Sequence, residues 1–163
     1  GGNFVGTEIE RKFLVHGDAW RPGARGVAYR QGYLTTDPER TVRVRIAGPQ
    51  AFLTVKGKTR GATRAEFEYP IPVEDAARLL DELCQRPLVE KTRYTVQHGA
   101  HEWVLDEFHG DNAGLLLAEV ELGSEGEGFS LPPWAGREVT EDPRYYNANL
   151  IAHPYRRWKA GAE

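Results

Sequence analysis

Glu8, Glu10 and Lys12 alternate inside the run Thr7-Glu8-Ile9-Glu10-Arg11-Lys12-Phe13-Leu14-Val15. On a β-strand every second side chain shares one face, so the three charges stand in a row roughly 7 Å apart. Carboxylates hold hard divalent cations, and an ammonium meets an anion that such a cation also binds. The same spacing recurs along the chain. Arg43 and Arg45 alternate within Val42-Arg43-Val44-Arg45-Ile46, and Thr54 and Lys56 within Leu53-Thr54-Val55-Lys56. Glu66 and Glu68 flank Phe67, Lys91 and Arg93 flank Thr92, and Glu119 and Glu121 flank Val120. Asp106 and Glu107 are adjacent, so only one of them can share a given face.

Two readings account for this pattern. Any antiparallel sheet with one wet face alternates polar with apolar residues. A solvated face, however, usually mixes Lys, Glu, Thr, Ser and Gln, and like charges side by side gain nothing. The second reading is an inverted barrel, its charges turned to a water-filled lumen that takes a metal and a polyanion, its aliphatics turned outward.

The elements that would position these residues follow from turn chemistry. Strand-like runs cover 8–15, 27–35, 41–47, 51–57, 65–71, 91–97, 102–108 and 115–122, separated by Gly- and Pro-rich turns. Most gaps suit hairpins, so the sheet is expected to be largely antiparallel. A helix is predicted over 74–85, where Ala76, Leu79, Leu80 and Leu83 fall at helical spacing and Pro87 follows. A second is predicted over 143–152, with Asp142 as N-cap, Pro143 at the first position and Pro154 beyond the end. The expected fold is mainly β (α+β): a closed eight-stranded antiparallel β-barrel with a charged lumen and flanking helices.

Length and composition bound the rest. The 163 residues suit one domain, expected over 7–159. Residues 1–6 are expected to be a cloning scar or disordered lead, and 160–163 a tail. Residues 40% hydrophobic and 28% charged suit a globular core, and a net charge of −3 does not point to nucleic acid. No apolar run reaches the ~18 residues of a membrane helix, so no membrane partner is expected. The single cysteine, Cys84, fits a reducing cytoplasm and reads as a small buried hydrophobe. Gly57-Lys58-Thr59 matches the end of a P-loop, but Phe52 stands where the loop needs glycine. His16, His98, His101, His109 and His153 lack zincin spacing, and His98 and His101 read as surface residues of a hairpin. Trp20, Trp103, Trp134 and Trp158 read as packing residues.

Taken in order, the motifs resemble the CYTH superfamily, also called triphosphate tunnel metalloenzymes, in its short single-domain bacterial form. The resemblance rests on Glu8-x-Glu10-x-Lys12, Arg30-Gln31-Gly32-Tyr33-Leu34, Val42-Arg43-Val44-Arg45, Leu53-Thr54-Val55-Lys56-Gly57 and Arg64-Ala65-Glu66-Phe67-Glu68. It continues through Glu90-Lys91-Thr92-Arg93-Tyr94, Asp106-Glu107-Phe108, Ala118-Glu119-Val120-Glu121-Leu122 and Arg144-Tyr145-Tyr146-Asn147. It implies a triphosphate or polyphosphate ligand with Mg²⁺ or Mn²⁺. It implies metal ligation by Glu8, Glu10, Glu119 and Glu121, with Asp106 contributing, and phosphate binding by Lys12, Arg43, Arg45, Lys56, Arg64, Lys91 and Arg93. Glu66 and Glu68 match positions that either orient the basic residues or join the metal site. Tyr33 matches a tyrosine thought to act with the signature lysine, here Lys12, and the general base is either Glu10 or another carboxylate, or that pair. The 143–152 segment matches a C-terminal helix that closes one tunnel end.

The expected activity is metal-dependent hydrolysis of inorganic tripolyphosphate to pyrophosphate and phosphate. ATP or thiamine triphosphate hydrolysis, class IV-type adenylate cyclisation and a non-catalytic polyphosphate- or nucleotide-binding module are the alternatives. Cyclase-type members carry His-Phe followed by four residues before the first signature glutamate, whereas Asn3-Phe4 here is followed by only three before Glu8 and lacks the histidine. A homodimer would follow if outward aliphatics exceed what the helices cover.

Overall fold

The computed structural model describes residues 6–158. The expected tail and all of the expected lead but Gly6 lie outside the described residues, and Gly6 opens the first strand. Strands β1 (Gly6–Val15), β2 (Arg25–Thr35), β3 (Arg40–Ala47), β4 (Gln50–Gly57), β5 (Thr63–Pro70), β6 (Val89–His98), β7 (His101–Phe108) and β8 (Leu116–Glu121) form an antiparallel barrel. Hydrogen bonding runs β1-β5-β4-β3-β2-β6-β7-β8 and returns to β1. Closure leaves no free strand edge in the wall.

β1 makes closure possible by changing partners. On one edge Gly6–Ile9 pairs β5, and on the other Glu10–Leu14 pairs β8. Past the turn after β4, the first edge is taken over by β9 (Ala135–Glu138). This short strand was not expected. Ala-Gly-Arg-Glu has no alternation to betray it, and it is held by Arg11, whose Nε and Nη2 donate to Glu138 at 2.7 and 2.5 Å.

The barrel is inverted, and three outer structures shelter its aliphatic face. Helix α1 (Val73–Glu82) lays Ala76 and Leu80 on Val44 and Ala51. Burying a leucine such as Leu80 contributes about 1.5–3 kcal/mol. Cys84 is buried there as expected. Helix α1 ends at Glu82, three residues short of the expected end. Phe13, Trp20, Trp103 and Trp134 form a second cluster, with Trp103 and Trp134 edge-on at 5.5 Å. The C-terminal segment adds Val139, Tyr145, Leu150 and Ile151 to Tyr33, Phe108 and Leu117. No helix among the described residues is long and apolar enough to cross a membrane.

The helix expected over 143–152 is replaced by two 3-10 turns, Pro143–Tyr145 and Asn147–Leu150. Asp142 does cap the first, accepting from the Arg144 N–H at 3.1 Å. Tyr146 between them is extended (φ −73°, ψ 130°). Asn149 spends its side chain on the Pro143 carbonyl at 2.8 Å, the local competition that disfavours asparagine inside helices.

Candidate functional site

The barrel encloses a cavity of about 1180 Å³. Pro49, Gln50 and Ala100–Glu102 line one end, and Thr36, Pro38, Lys58 and Thr59 the other. Between them stand Glu8, Glu10, Lys12, Tyr33, Arg43, Arg45, Lys56, Arg64, Glu66, Glu68, Lys91, Arg93, Glu119 and Glu121. Of the residues expected in the site, only Asp106 does not line the cavity.

Strand register turns like-charge pairs along each strand into opposite-charge pairs across strands. Lys12 faces Glu119, Glu8 faces Arg64, Lys56 faces Glu66 and Arg93 faces Asp106. Lys56 Nζ lies 2.8 Å from Glu8 and 3.3 Å from Glu66. Lys12 Nζ lies 3.3 Å from Glu119 and 3.9 Å from Glu10. Arg43 Nη2 donates to Thr54 Oγ1 at 3.3 Å and lies 3.5 Å from Glu68, which also accepts from Thr54 at 3.0 Å. Glu66 and Glu68 thus hold basic side chains through ion pairs.

On the acidic side, Glu10 stands within hydrogen-bonding reach of both Glu8 and Glu119. Burial, then the charges of Glu119 and Glu8, raise the Glu10 carboxyl well above the usual range, with Lys12 and Lys56 opposing. Burial would also raise Glu8 and Glu119, but their cations prevail and hold both well below it: Lys56 and Arg64 for Glu8, Lys12 and Arg93 for Glu119. Glu8 Oε1 is buried without a hydrogen-bond partner. Among the described residues no three acidic or histidine side chains form a complete metal nest. An oxygen-only cluster with an orphaned oxygen still suits a hard cation that takes one or two carboxylates and fills its shell with phosphate oxygens. Glu121 is exposed at the rim beside this cluster, opposite Glu10 across the β1–β8 pair.

The basic side is short of anions. Burial, with Arg43 and Arg93, lowers Arg45 to about 9. Its Nε donates to a neutral group, Gln31 Oε1, at 2.9 Å. Burial lowers Lys56 to about 8 against the pull of Glu8. Burial also pushes Lys91 well below its ordinary value, Asp106 counters part of that, and Arg93 and Arg45 add to the fall. Arg43 Nε is buried without a partner, and Arg64 makes no hydrogen bond or ion pair within the described residues. Guanidiniums short of partners, Arg43 and Arg64 among them, favour an anionic guest, whose oxygens replace the hydrogen bonds to water that they have lost.

Asp106 has a setting different from the expected one. It is 1% exposed. Its Oδ1 accepts from Arg93 Nε at 2.7 Å, and its Oδ2 from Lys91 Nζ at 2.7 Å and Arg93 Nη2 at 2.8 Å. Burial would raise its carboxyl, but Arg93 and Lys91 prevail and hold it at about 2. Asp106 anchors two cations from behind the cavity lining. Tyr33 differs too. Its hydroxyl lies 3.4 Å from Gln31 Nε2, and the ring near Lys12 Nζ, at 5.7 Å to its centroid, is that of Tyr146.

Several lining residues escaped the sequence reading of charges. Tyr29 sits under two guanidiniums, with Arg45 and Arg93 carbons 4.8 and 4.9 Å from its ring centroid. Gln31, buried behind the lining on the Tyr29 and Tyr33 face of β2, is neutral, and period-two alternation could have found it as it did Thr54 beside Lys56 on β4. Asn147 Oδ1 accepts from Lys91 Nζ at 2.8 Å and from Gln31 Nε2 at 3.0 Å. Nothing in local sequence connects it to β2 or β6. His98 and His101 lie at the β6–β7 hairpin as expected, but His101 is half-buried against Glu127.

Comparison with known proteins agrees with this geometry. The model of the CYTH domain family matches residues 6–155. An inorganic triphosphatase of Acetivibrio thermocellus is 50% identical over 155 residues, covering 95% of this chain and 99% of that protein. An inorganic triphosphatase of Nitrosomonas europaea is 42% identical over 150 residues, 88% of this chain and 96% of that protein. A crystal structure of an inorganic triphosphatase superposes with a TM-score of 0.64 at 40% identity, covering 88% of this chain and 97% of the other. An eight-stranded barrel with its charges turned inward, matched along nearly its whole length, makes this chain a member of the CYTH domain family.

Proposed function

We propose that this chain hydrolyses inorganic tripolyphosphate to pyrophosphate and phosphate with Mg²⁺ or Mn²⁺. The observation that carries the reading is the juxtaposition, in one closed lumen, of under-paired buried cations and a carboxylate cluster with an orphaned oxygen. Relatives 50% and 42% identical that bear the name inorganic triphosphatase support it.

Arg43, Arg45, Lys56, Arg64, Lys91 and Arg93, with Lys12, hold the phosphate oxygens. Arginine forks engage two oxygens at a time and lysines act as point charges. Glu8, Glu10 and Glu119 hold the cation, and Glu121 is a further carboxylate at the rim. When bound, the cation neutralises phosphate charge and makes water more acidic near the terminal phosphorus. Burial weakens Lys12 as a base partner less than Glu119 and Glu10 strengthen its hold on its proton, so it stays an ammonium. Glu10 accepts the proton of the attacking water. Water oxygen bonds to the terminal phosphorus, the bridging P–O bond breaks, and its electron pair leaves with pyrophosphate. Positioning and electrostatics supply most of the acceleration.

The test incubates the protein with tripolyphosphate, ATP or thiamine triphosphate in Mg²⁺, Mn²⁺ or chelator, and measures phosphate, pyrophosphate and cyclic AMP. Phosphate release from tripolyphosphate is expected only with metal. Glu10→Gln should lose it by about 10²–10⁴-fold while the melting temperature holds. Equal turnover in chelator or in the variant removes the proposal, and cyclic AMP with pyrophosphate from ATP replaces it by cyclisation.

A further inference from the structure

The C-terminal segment does more than cover an end of the barrel. Lys91 on β6, paired with Asp106, and Arg45 on β3, which has no carboxylate within ion-pair distance among the described residues, are joined by a chain of neutral amides. Arg45 Nε donates to Gln31 Oε1 (2.9 Å), Gln31 Nε2 to Asn147 Oδ1 (3.0 Å), and Lys91 Nζ to the same Asn147 oxygen (2.8 Å). The polarity of this chain is forced. An ammonium and a guanidinium only donate, so Asn147 must turn its oxygen to Lys91 and Gln31 its oxygen to Arg45. Gln31 is then left with its amide nitrogen for Asn147, and the link closes without a conflict.

Asn147 is itself held in place. Leu150 and Ile151, just beyond it, are buried in the outer cluster with Tyr145, and the Leu150 N–H donates to the Tyr146 carbonyl at 3.2 Å. Extended Tyr146 is what directs Asn147 inward, where an α-helical segment would have carried it around the helix axis.

We propose that Asn147 is a positioning residue that sets the Lys91 ammonium and, through Gln31, the Arg45 guanidinium at fixed places for a polyphosphate chain. A neutral amide is suited to this task. It orders both cations without cancelling their charge, whereas a carboxylate would compete with the guest. The inference rests on the polyphosphate reading of the lumen, but it concerns binding and is separable from hydrolysis.

The experiment measures tripolyphosphate binding in chelator by calorimetry, hydrolysis with metal, and thermal melting, for the unaltered protein, Asn147→Ala and Asn147→Asp. Asn147→Ala should weaken binding by about ten- to a hundredfold and raise KM in parallel, with kcat changed less than about threefold. Asn147→Asp keeps an acceptor for both donors. It should melt no lower than the unaltered protein and yet bind tripolyphosphate at least about tenfold more weakly. A merely structural asparagine would show an alanine variant that binds normally once folded. Binding within twofold of the unaltered protein in either folded variant overturns the proposal. An unaltered protein that binds but does not hydrolyse refutes the enzyme reading and leaves the positioning role standing, and one that does not bind at all refutes both.

Discussion

Replacing Asp106 by asparagine separates an anchor from a metal ligand. The substitution keeps the shape but removes the charge and sets an amide group against two cations. Asp106 receives three charge-assisted hydrogen bonds, one from Lys91 and two from Arg93, at 2.7 to 2.8 Å. Removing one partner of a buried ion pair costs about 3–5 kcal/mol. Lys91, already weakened as a base by burial, can relieve part of this by losing its proton, so the lower figure applies. About 3 kcal/mol corresponds to a fall of roughly 6–12 °C in melting temperature for a chain of this size. Loss of order at Lys91 and Arg93 should also raise KM for tripolyphosphate by about ten- to a hundredfold. The metal concentration for half-maximal activity should stay within about twofold, because Asp106 is buried behind the cavity lining. The pH dependence has a definite sign. The folded carboxyl sits at about 2 against an ordinary 3.8, depressed by Arg93 and Lys91 beyond what burial adds. It therefore contributes stability that is full above about pH 4 and is lost as pH falls through 2, about 2 kcal/mol in all. Melting curves of the two proteins should differ most near neutrality and draw together towards pH 2. Unchanged melting, or an unchanged KM with a tenfold higher metal requirement, refutes the anchor.

Two further outcomes follow from other places in the barrel. Arg64→Ala removes a guanidinium that makes no hydrogen bond or ion pair among the described residues but whose charge helps hold buried Glu8 ionised, so stability should fall by about 0.5–3 kcal/mol while KM for tripolyphosphate rises by about tenfold; steady-state kinetics with a melting curve reads both, and lost stability at constant KM would contradict it. Gly32→Ala would place a Cβ 2.7 Å from Leu88 and 2.9 Å from Cys84, under the end of α1; the overpacking should destabilise by about 1–3 kcal/mol in urea denaturation with kcat retained, and neutral stability would mean that this contact yields more easily than the geometry implies.

Much of the architecture is legible along the chain because a strand reveals its two faces at period two. Glu8, Glu10 and Lys12, or Lys91 and Arg93, announce a charged face wherever they lie, and the turns between runs imply antiparallel hairpins. The α-helix at Val73–Glu82 is legible for the same reason at period 3.6. The short strand Ala135–Glu138 and the 3-10 turns after Asp142 are not, because their conformation is decided by partners far away in sequence: β1 for the first, the lumen and the outer cluster for the second.

The site divides along the same line. Which residue types line the lumen was written in the alternation, since side-chain direction on a strand is a local property. Which charges face one another was not. Like-charge pairs along a strand become Lys56 beside Glu8 and Glu66, or Lys12 beside Glu119, only when register and barrel closure set strands next to one another. The withdrawal of Asp106 behind Lys91 and Arg93, and the reach of Asn147 to Lys91, belong to tertiary structure alone. Burial and pairing depend on where remote strands lie, and no local spacing encodes that.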